Sequence, residues 1–126
     1  MKAYKIFRSD FTSVWNQPSR LYPHHYEVKY RWKLGKKNTH SKLYAASTLE
    51  ETISWLVSAN IEFISPKLMI CEVEGEGLQN NSLDDQLKFN SITPQKIIPV
   101  SEYIHLIPKK HSLYTQIIES VDGSKI

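Results

Sequence analysis

Residues 26–34, Tyr-Glu-Val-Lys-Tyr-Arg-Trp-Lys-Leu, decide the predicted fold, because apolar and charged residues alternate strictly along them. Successive side chains of a strand point to opposite faces, so this period of two predicts a strand with one buried and one wet face. The apolar positions are Tyr26, Val28, Tyr30, Trp32 and Leu34, and the charged positions are Glu27, Lys29, Arg31 and Lys33. We therefore predict a central strand over 26–34 whose basic side chains meet solvent.

The main helix is predicted over Thr48–Ala59. Ser47 and Thr48 can each accept a hydrogen bond from a first-turn amide, and Glu50 and Glu51 follow them three residues later as two overlapping capping boxes. Apolar residues then recur at helical spacing, which predicts a face buried against the sheet. These residues are Leu49, Ile53, Leu56 and Val57.

The remaining segments complete an α+β domain with a mostly antiparallel sheet, one main helix and a C-terminal helix, spanning 1–126 as a single domain. Strands are predicted at Ala3–Arg8, Lys42–Ala46, Lys67–Glu74 and Lys96–Val100. Residues 12–25 and 75–81 are predicted as loops, 35–38 as a turn, Leu83–Phe89 as a helical turn and His111–Val121 as the C-terminal helix.

Composition excludes several classes of protein. The chain has 126 residues and one cysteine, Cys71, so it forms no internal disulfide, and we expect this thiol to be a buried small hydrophobe. No apolar run approaches the roughly 20 residues of a membrane span, and the N-terminal segment has no apolar signal core. No pair of its five histidines is spaced for a helical metal site, and His24-His25 would need a third ligand from elsewhere. We predict a cytoplasmic protein with no metal, no membrane association and no required cofactor.

Charge is distributed unevenly along the chain. Residues 1–47 hold ten Lys or Arg against Asp10 and Glu27, a net charge of +8, whereas residues 48–91 carry a net charge of −6. A basic half attracts phosphate-bearing ligands or nucleic acid. Alternatively, opposite charges face each other across the fold and keep the protein soluble.

Four short segments resemble the landmarks of the ADP-ribosyltransferase-like fold. Arg8 ends the first predicted strand, and Leu43-Tyr44-Ala45-Ala46-Ser47-Thr48-Leu49 is similar to the Ser-Thr strand end that leads into a helix. A strand follows at 68–73, and Thr93-Pro94-Gln95-Lys96-Ile97-Ile98-Pro99 is similar to the late segment that carries the family's catalytic Glu. The resemblance implies a pocket for NAD or an ADP-ribose-like nucleotide.

The same resemblance implies roles for individual residues. Gln95 occupies the position of the catalytic Glu and Thr93 that of its companion, so hydrogen bonding is kept while the charge that opposes the developing cation is lost. The implied ligand-binding residues are Arg8 for a phosphate, Ser47 and Gln95 for ribose hydroxyls, and Trp15 or Tyr22 as a stacking lid. Glu72 and Glu74 are the alternative acidic pair.

Four functions follow from these features. The first is a non-catalytic or diverged ADP-ribosyltransferase-like domain, which sequesters a nucleotide signal or docks on a host protein as phage-encoded factors do. The second is an active mono-ADP-ribosyltransferase. The third is a basic α+β module that binds RNA or DNA, and the fourth is an interaction protein without a small ligand. The candidate nucleic-acid contacts are Lys29, Arg31, Lys33, Lys36 and Lys37.

Overall fold

A computed structural model describes residues 1–8, 10–12, 31–58, 68–79, 87–110 and 114. Its elements in chain order are β1 (Lys2–Arg8), β2 (Asn38–Ala45), α1 (Leu49–Ser58), β3 (Leu68–Glu76) and β4 (Leu87–Ile98), followed by two short 3₁₀ helices at Val100–Glu102 and Ile104–Leu106. The four strands form one antiparallel sheet in the order β1-β3-β4-β2. The predicted α+β class, with a mostly antiparallel sheet and one main helix, is confirmed.

Among the residues that the structure describes, one pair closes the sheet on itself. Tyr4 of β1 and Ala46, just after β2, exchange both backbone hydrogen bonds at 2.8 Å, although β1 and β2 are the outer strands of the sheet order. Two irregularities in register help the strands to bend, one between Thr39 and Leu43 and one that leaves Gln95 without a partner on β3. The result is a small, almost closed barrel.

Each face of the sheet has its own apolar core. The inner face, which the barrel encloses, carries Ala3, Phe7, Trp32, Leu43, Ala45, Cys71, Val73, Phe89 and Ile92. The outer face packs against α1 and the 3₁₀ segment through Ile6, Ile53, Leu56, Ile70, Ile98, Tyr103 and Ile107. Odd-numbered residues of β1 therefore belong to the inner face and even-numbered ones to the outer face.

At the start of α1, Thr48 acts as the predicted cap, whereas the Ser47 hydroxyl is a donor to a side chain rather than the predicted acceptor. The backbone amide of Glu51 donates to the Thr48 hydroxyl at 3.0 Å, and the Ser47 hydroxyl donates to the Glu51 carboxylate at 2.6 Å. Along the helix, Ile53 and Leu56 are buried, as predicted from their spacing. Leu49 and Val57 are only half-buried, at the margin of the outer core.

Truncating Ile53 to alanine is expected to lower the free energy of unfolding by about 2–5 kcal/mol, because its side chain is 2% exposed within the outer core. Urea denaturation followed by circular dichroism measures this change. Ser54→Ala, an exposed neighbour on the same helix, is the matched control and should change stability by less than about 0.5 kcal/mol. A loss below that value for Ile53→Ala would show that this helix face does not pack on the sheet.

The predicted central strand over 26–34 needs correction at its end. Residues 26–30 lie outside the described residues, Arg31 forms one isolated bridge to Thr12, and 32–34 are not a strand. Trp32 is buried as predicted, but Leu34 is 49% exposed rather than buried. The cause is a turn in which the amide of Lys36 donates to the carbonyl of Lys33, with Gly35 at a φ of 76°.

Other predicted boundaries also change. The predicted helical turn at Leu83–Phe89 is wrong over its last three residues, because Leu87–Phe89 opens β4 and pairs with β2. Of the short strand predicted at 96–100, residues 96–98 are the end of that longer strand, whereas Val100 begins a 3₁₀ helix. β3 continues through Gly75 and Glu76, and β2 begins at Asn38, within the predicted turn. Of the residues in the predicted C-terminal helix, the structure describes only Tyr114, which is helical. Of the predicted loop 12–25, it describes only Thr12.

Candidate anion-binding surface

Two of the proposed nucleotide contacts lie apart on the sheet. Arg8 ends β1 opposite Leu68 of β3, whereas Gln95 lies in the bulge of β4 opposite Glu72 and Val73. With ordinary strand geometry this separates them by roughly 10 Å across the sheet and about 15 Å along it. The structure therefore does not bring the two side chains to one pocket.

Ser47 lies away from Arg8. It follows Ala46, whose antiparallel pairing with Tyr4 carries the chain toward the start of β1 and away from Arg8. Its hydroxyl is engaged with Glu51 at the start of α1. The two predicted lid residues, Trp15 and Tyr22, lie outside the described residues.

Glu72 and Glu74 share the outer face of β3 but do not form a carboxylate pair with each other. Glu72 forms an ion pair with Lys2 at 3.1 Å, and Glu74 forms one with the N-terminal ammonium group of Met1. The hydrogen bond and negative charge of Glu72 raise the pKa of Lys2 above its ordinary value of 10.5. Each carboxylate thus has its own cation, which does not favour a shared proton between them.

Four of the described cations lie close together in another segment, residues 31–37, which we call the basic turn. Its sequence is Arg-Trp-Lys-Leu-Gly-Lys-Lys, with four basic residues and no acid. Every residue of it except Trp32 is exposed. Lys29, the fifth candidate contact, lies outside the described residues. The turn between Lys33 and Lys36 brings these two cations near each other.

Ring packing and backbone hydrogen bonds hold the basic turn to the barrel. The Trp32 ring is 1% exposed and lies edge-on to Phe7, with 5.2 Å between ring centroids, while its amide donates to the carbonyl of Phe11 at 2.8 Å. Gly35 donates its amide to the carbonyl of Pro94 on β4 at 2.7 Å. A turn fixed on both sides presents its charges with little loss of backbone conformational entropy on binding.

A buried lysine lies beneath that tryptophan. Lys5 is 7% exposed on the inner face; its ammonium group donates to the carbonyl of Tyr44 at 2.6 Å. The same group lies 5.7 Å from the Trp32 ring and 5.8 Å from the Phe7 ring, within the range of cation–π attraction. Sequence reasoning missed this role, although the alternation of β1 already places Lys5 on the same face as Phe7.

The cations of the basic turn differ in how far they are neutralised. Lys37 pairs with Glu76 at 3.0 Å. Arg31 lies near Asp10, whose pKa is held below its ordinary value of 3.8 by hydrogen bonds from Thr12, with the charge of Arg31 adding to the effect. Among the described residues, Lys33 and Lys36 make no ion pair. These two lysines are the cations most available to an anion.

Sequence reasoning also missed the neighbours of the basic turn on β4. Because Gly35 bonds to Pro94, the turn lies directly beside exposed Gln95. This contact depends on the bulge and on which strands are adjacent, and nothing in the local sequence indicates it.

The described residues offer little for redox or metal chemistry. Cys71 is fully buried, as expected, and burial raises the pKa of its thiol to about 12, so it stays protonated at neutral pH. Within the described ranges, no three His, Cys, Asp or Glu side chains cluster to hold a metal ion. No helix among those residues has both the length and the apolar character needed to cross a membrane.

Comparison of the chain with models of known protein families, with curated proteins and with solved structures finds no match.

Proposed function

We propose that the protein binds nucleic acid through the phosphate backbone, using the basic turn as its contact surface. The observation that carries the proposal is the exposed pair Lys33 and Lys36, which make no ion pair with a described carboxylate and lie on a turn fixed by Trp32 and Gly35. Lysines attract phosphates as point charges and release condensed counterions on binding.

This function is favoured over a nucleotide pocket because a small ligand needs several groups that converge on it. Arg8, Ser47 and Gln95 lie on separate parts of the sheet and of the start of α1, whereas the basic turn concentrates four cations in seven residues. A polymer with a regular array of negative charges suits such a protruding surface. The proposed function is binding, and no catalytic step is assigned to this surface.

The strength of binding should depend steeply on salt. If two to four phosphates are neutralised, log K falls with log salt concentration with a slope of about −1.4 to −2.8 for a single strand. Fluorescence anisotropy of labelled DNA and RNA oligonucleotides over a range of salt concentrations measures this slope. A salt-independent affinity would contradict a backbone contact.

Reversing charges on the basic turn tests whether this turn is the binding surface. The double substitution Lys33→Glu and Lys36→Glu is expected to weaken binding at low salt by at least about tenfold, because two attractive contacts become repulsive. The matched control is Lys109→Glu with Lys110→Glu, an equal change of net charge at exposed residues that follow the outer core. The control should bind within about threefold of the unaltered protein.

Three results would overturn the proposal. Equal losses in both double variants would show that overall charge, rather than the basic turn, governs binding. No binding of either nucleic acid by the unaltered protein would exclude the function. Calorimetric heat on adding ADP-ribose, without any nucleic-acid binding, would instead support the nucleotide ligand that the family resemblance implies.

A further inference from the structure

Two exposed aliphatic side chains accompany the cations of this surface. Leu34 at the tip of the basic turn is 49% exposed, and Ile97 on β4 is 47% exposed. By contrast, most of the large aliphatic side chains on the described strands are buried. Aliphatic side chains flanked by lysines can contact a ligand that carries both charge and apolar surface.

The hydrogen-bonding pattern places the two side chains in one region. Gly35, next to Leu34, donates to the carbonyl of Pro94, and Ile97 lies three residues further along β4. Three residues of strand span about 10 Å, a length that the phosphates and base of one or two nucleotides can bridge. Ile97 faces the inner side with its register partner Cys71, the side on which Trp32 anchors the turn.

Beyond Pro94, one edge of β4 is open in the part of the chain that the structure describes. β4 continues to pair with β3 as far as Ile98, but its pairing with β2 ends at Ile92. Exposed Gln95 lies in the bulge between the turn and Ile97 and brings an amide that can both donate and accept hydrogen bonds. Apolar and polar groups thus lie next to Lys33 and Lys36.

We propose that the ligand of this surface is a single-stranded rather than a double-stranded nucleic acid, an inference that rests on the proposed function. Lys33 and Lys36 contact phosphates, while unstacked bases pack their faces on Leu34 and Ile97. A duplex buries the faces of its bases in the stack, so it can meet the lysines but leaves the two aliphatic side chains without a partner. A single strand offers both contacts at once.

The first test compares a labelled single strand with a duplex of the same sequence at the same salt concentration. We expect the single strand to bind at least about fivefold more tightly. Equal or tighter binding of the duplex would overturn the inference while leaving the proposed function intact. Failure of both to bind would overturn the proposed function and, with it, this inference.

The second test separates the apolar contact from the charges. The double substitution Leu34→Ser and Ile97→Thr should weaken single-strand binding by about five- to tenfold, leave duplex binding unchanged and keep the salt slope, because no phosphate contact is lost. Leu78→Ser, at an equally exposed leucine (52%) outside this surface, is the matched control and should change neither. An unchanged affinity in the double variant would overturn the inference.

A measurement on the unaltered protein tests the same contact even if the double variant does not fold. Methyl resonances of Leu34 and Ile97 should shift on adding the single strand, whereas that of Leu78 should not. Binding without any shift of the first two would contradict the contact.

Discussion

Replacing Trp32 with alanine is expected to lower the free energy of unfolding by about 3–5 kcal/mol. The indole is 1% exposed and is the largest fully buried side chain in the described part of the chain. It packs edge-on against Phe7, whose ring centroid lies 5.1 Å from that of Phe11. Removing it opens a cavity in the inner core and removes the ring packing that helps to hold the basic turn to the barrel. Urea unfolding followed by far-ultraviolet circular dichroism measures the change without relying on tryptophan emission.

The conservative control is Trp32→Phe, which keeps an aromatic ring against Phe7 and should lose clearly less stability than the alanine variant. The alanine variant, tested where it remains folded, should also bind nucleic acid more weakly than the phenylalanine variant. A stability loss below about 1 kcal/mol for Trp32→Ala would show that the indole is not part of the inner core.

Replacing Lys5 with glutamate is expected to prevent folding, or to cost about 4 kcal/mol or more, because it buries an unpaired carboxylate. The ammonium group of Lys5 donates to the Tyr44 carbonyl and lies over two aromatic faces. A carboxylate at this position would be repelled by the carbonyl oxygen and by the negative ring faces. Yield of soluble protein and the thermal unfolding midpoint measure the effect.

Lys5→Met separates charge from volume, because methionine fills a similar space without a charge. It removes one hydrogen bond to the Tyr44 carbonyl and is expected to lose only about 1–3 kcal/mol. Equal stability of the glutamate and methionine variants would mean that residue 5 is not enclosed in the barrel.

The sequence predicts α1 closely because its signals are local. The cap at Thr48 and the spacing of Ile53 and Leu56 act within a few residues of one another, and the helix runs from Leu49 to Ser58. The prediction of a strand through Leu34 is wrong for an equally local reason, a turn that the alternation of polar and apolar residues does not reveal. Gly35 takes a positive φ at a turn, so the chain reverses while the polar–apolar pattern still continues.

Strand neighbours depend on distant residues and were not predictable. The residues Leu87–Phe89 fit a helical turn as well as a strand, and only pairing with Leu43–Ala45 decides between them. The separation of Arg8 from Gln95 follows from the strand order, since β3 lies between their strands. The basic residues of the surface were predicted from the sequence, whereas their contact with Pro94 and Gln95 required the fold.

The pairing of β1 has a consequence for how the chain is made. β1 leaves the ribosome before β2 and β3. Because Lys2 faces Glu74 on β3 and Tyr4 faces Ala46, neither neighbour exists when β1 emerges. At ordinary rates of synthesis the wait for β3 lasts roughly 4–14 s. During this interval β1 is a nascent strand with Ile6 and Phe7 exposed. Lys2, Lys5 and Arg8 interrupt its apolar residues with positive charge and so disfavour association between growing chains before the barrel closes.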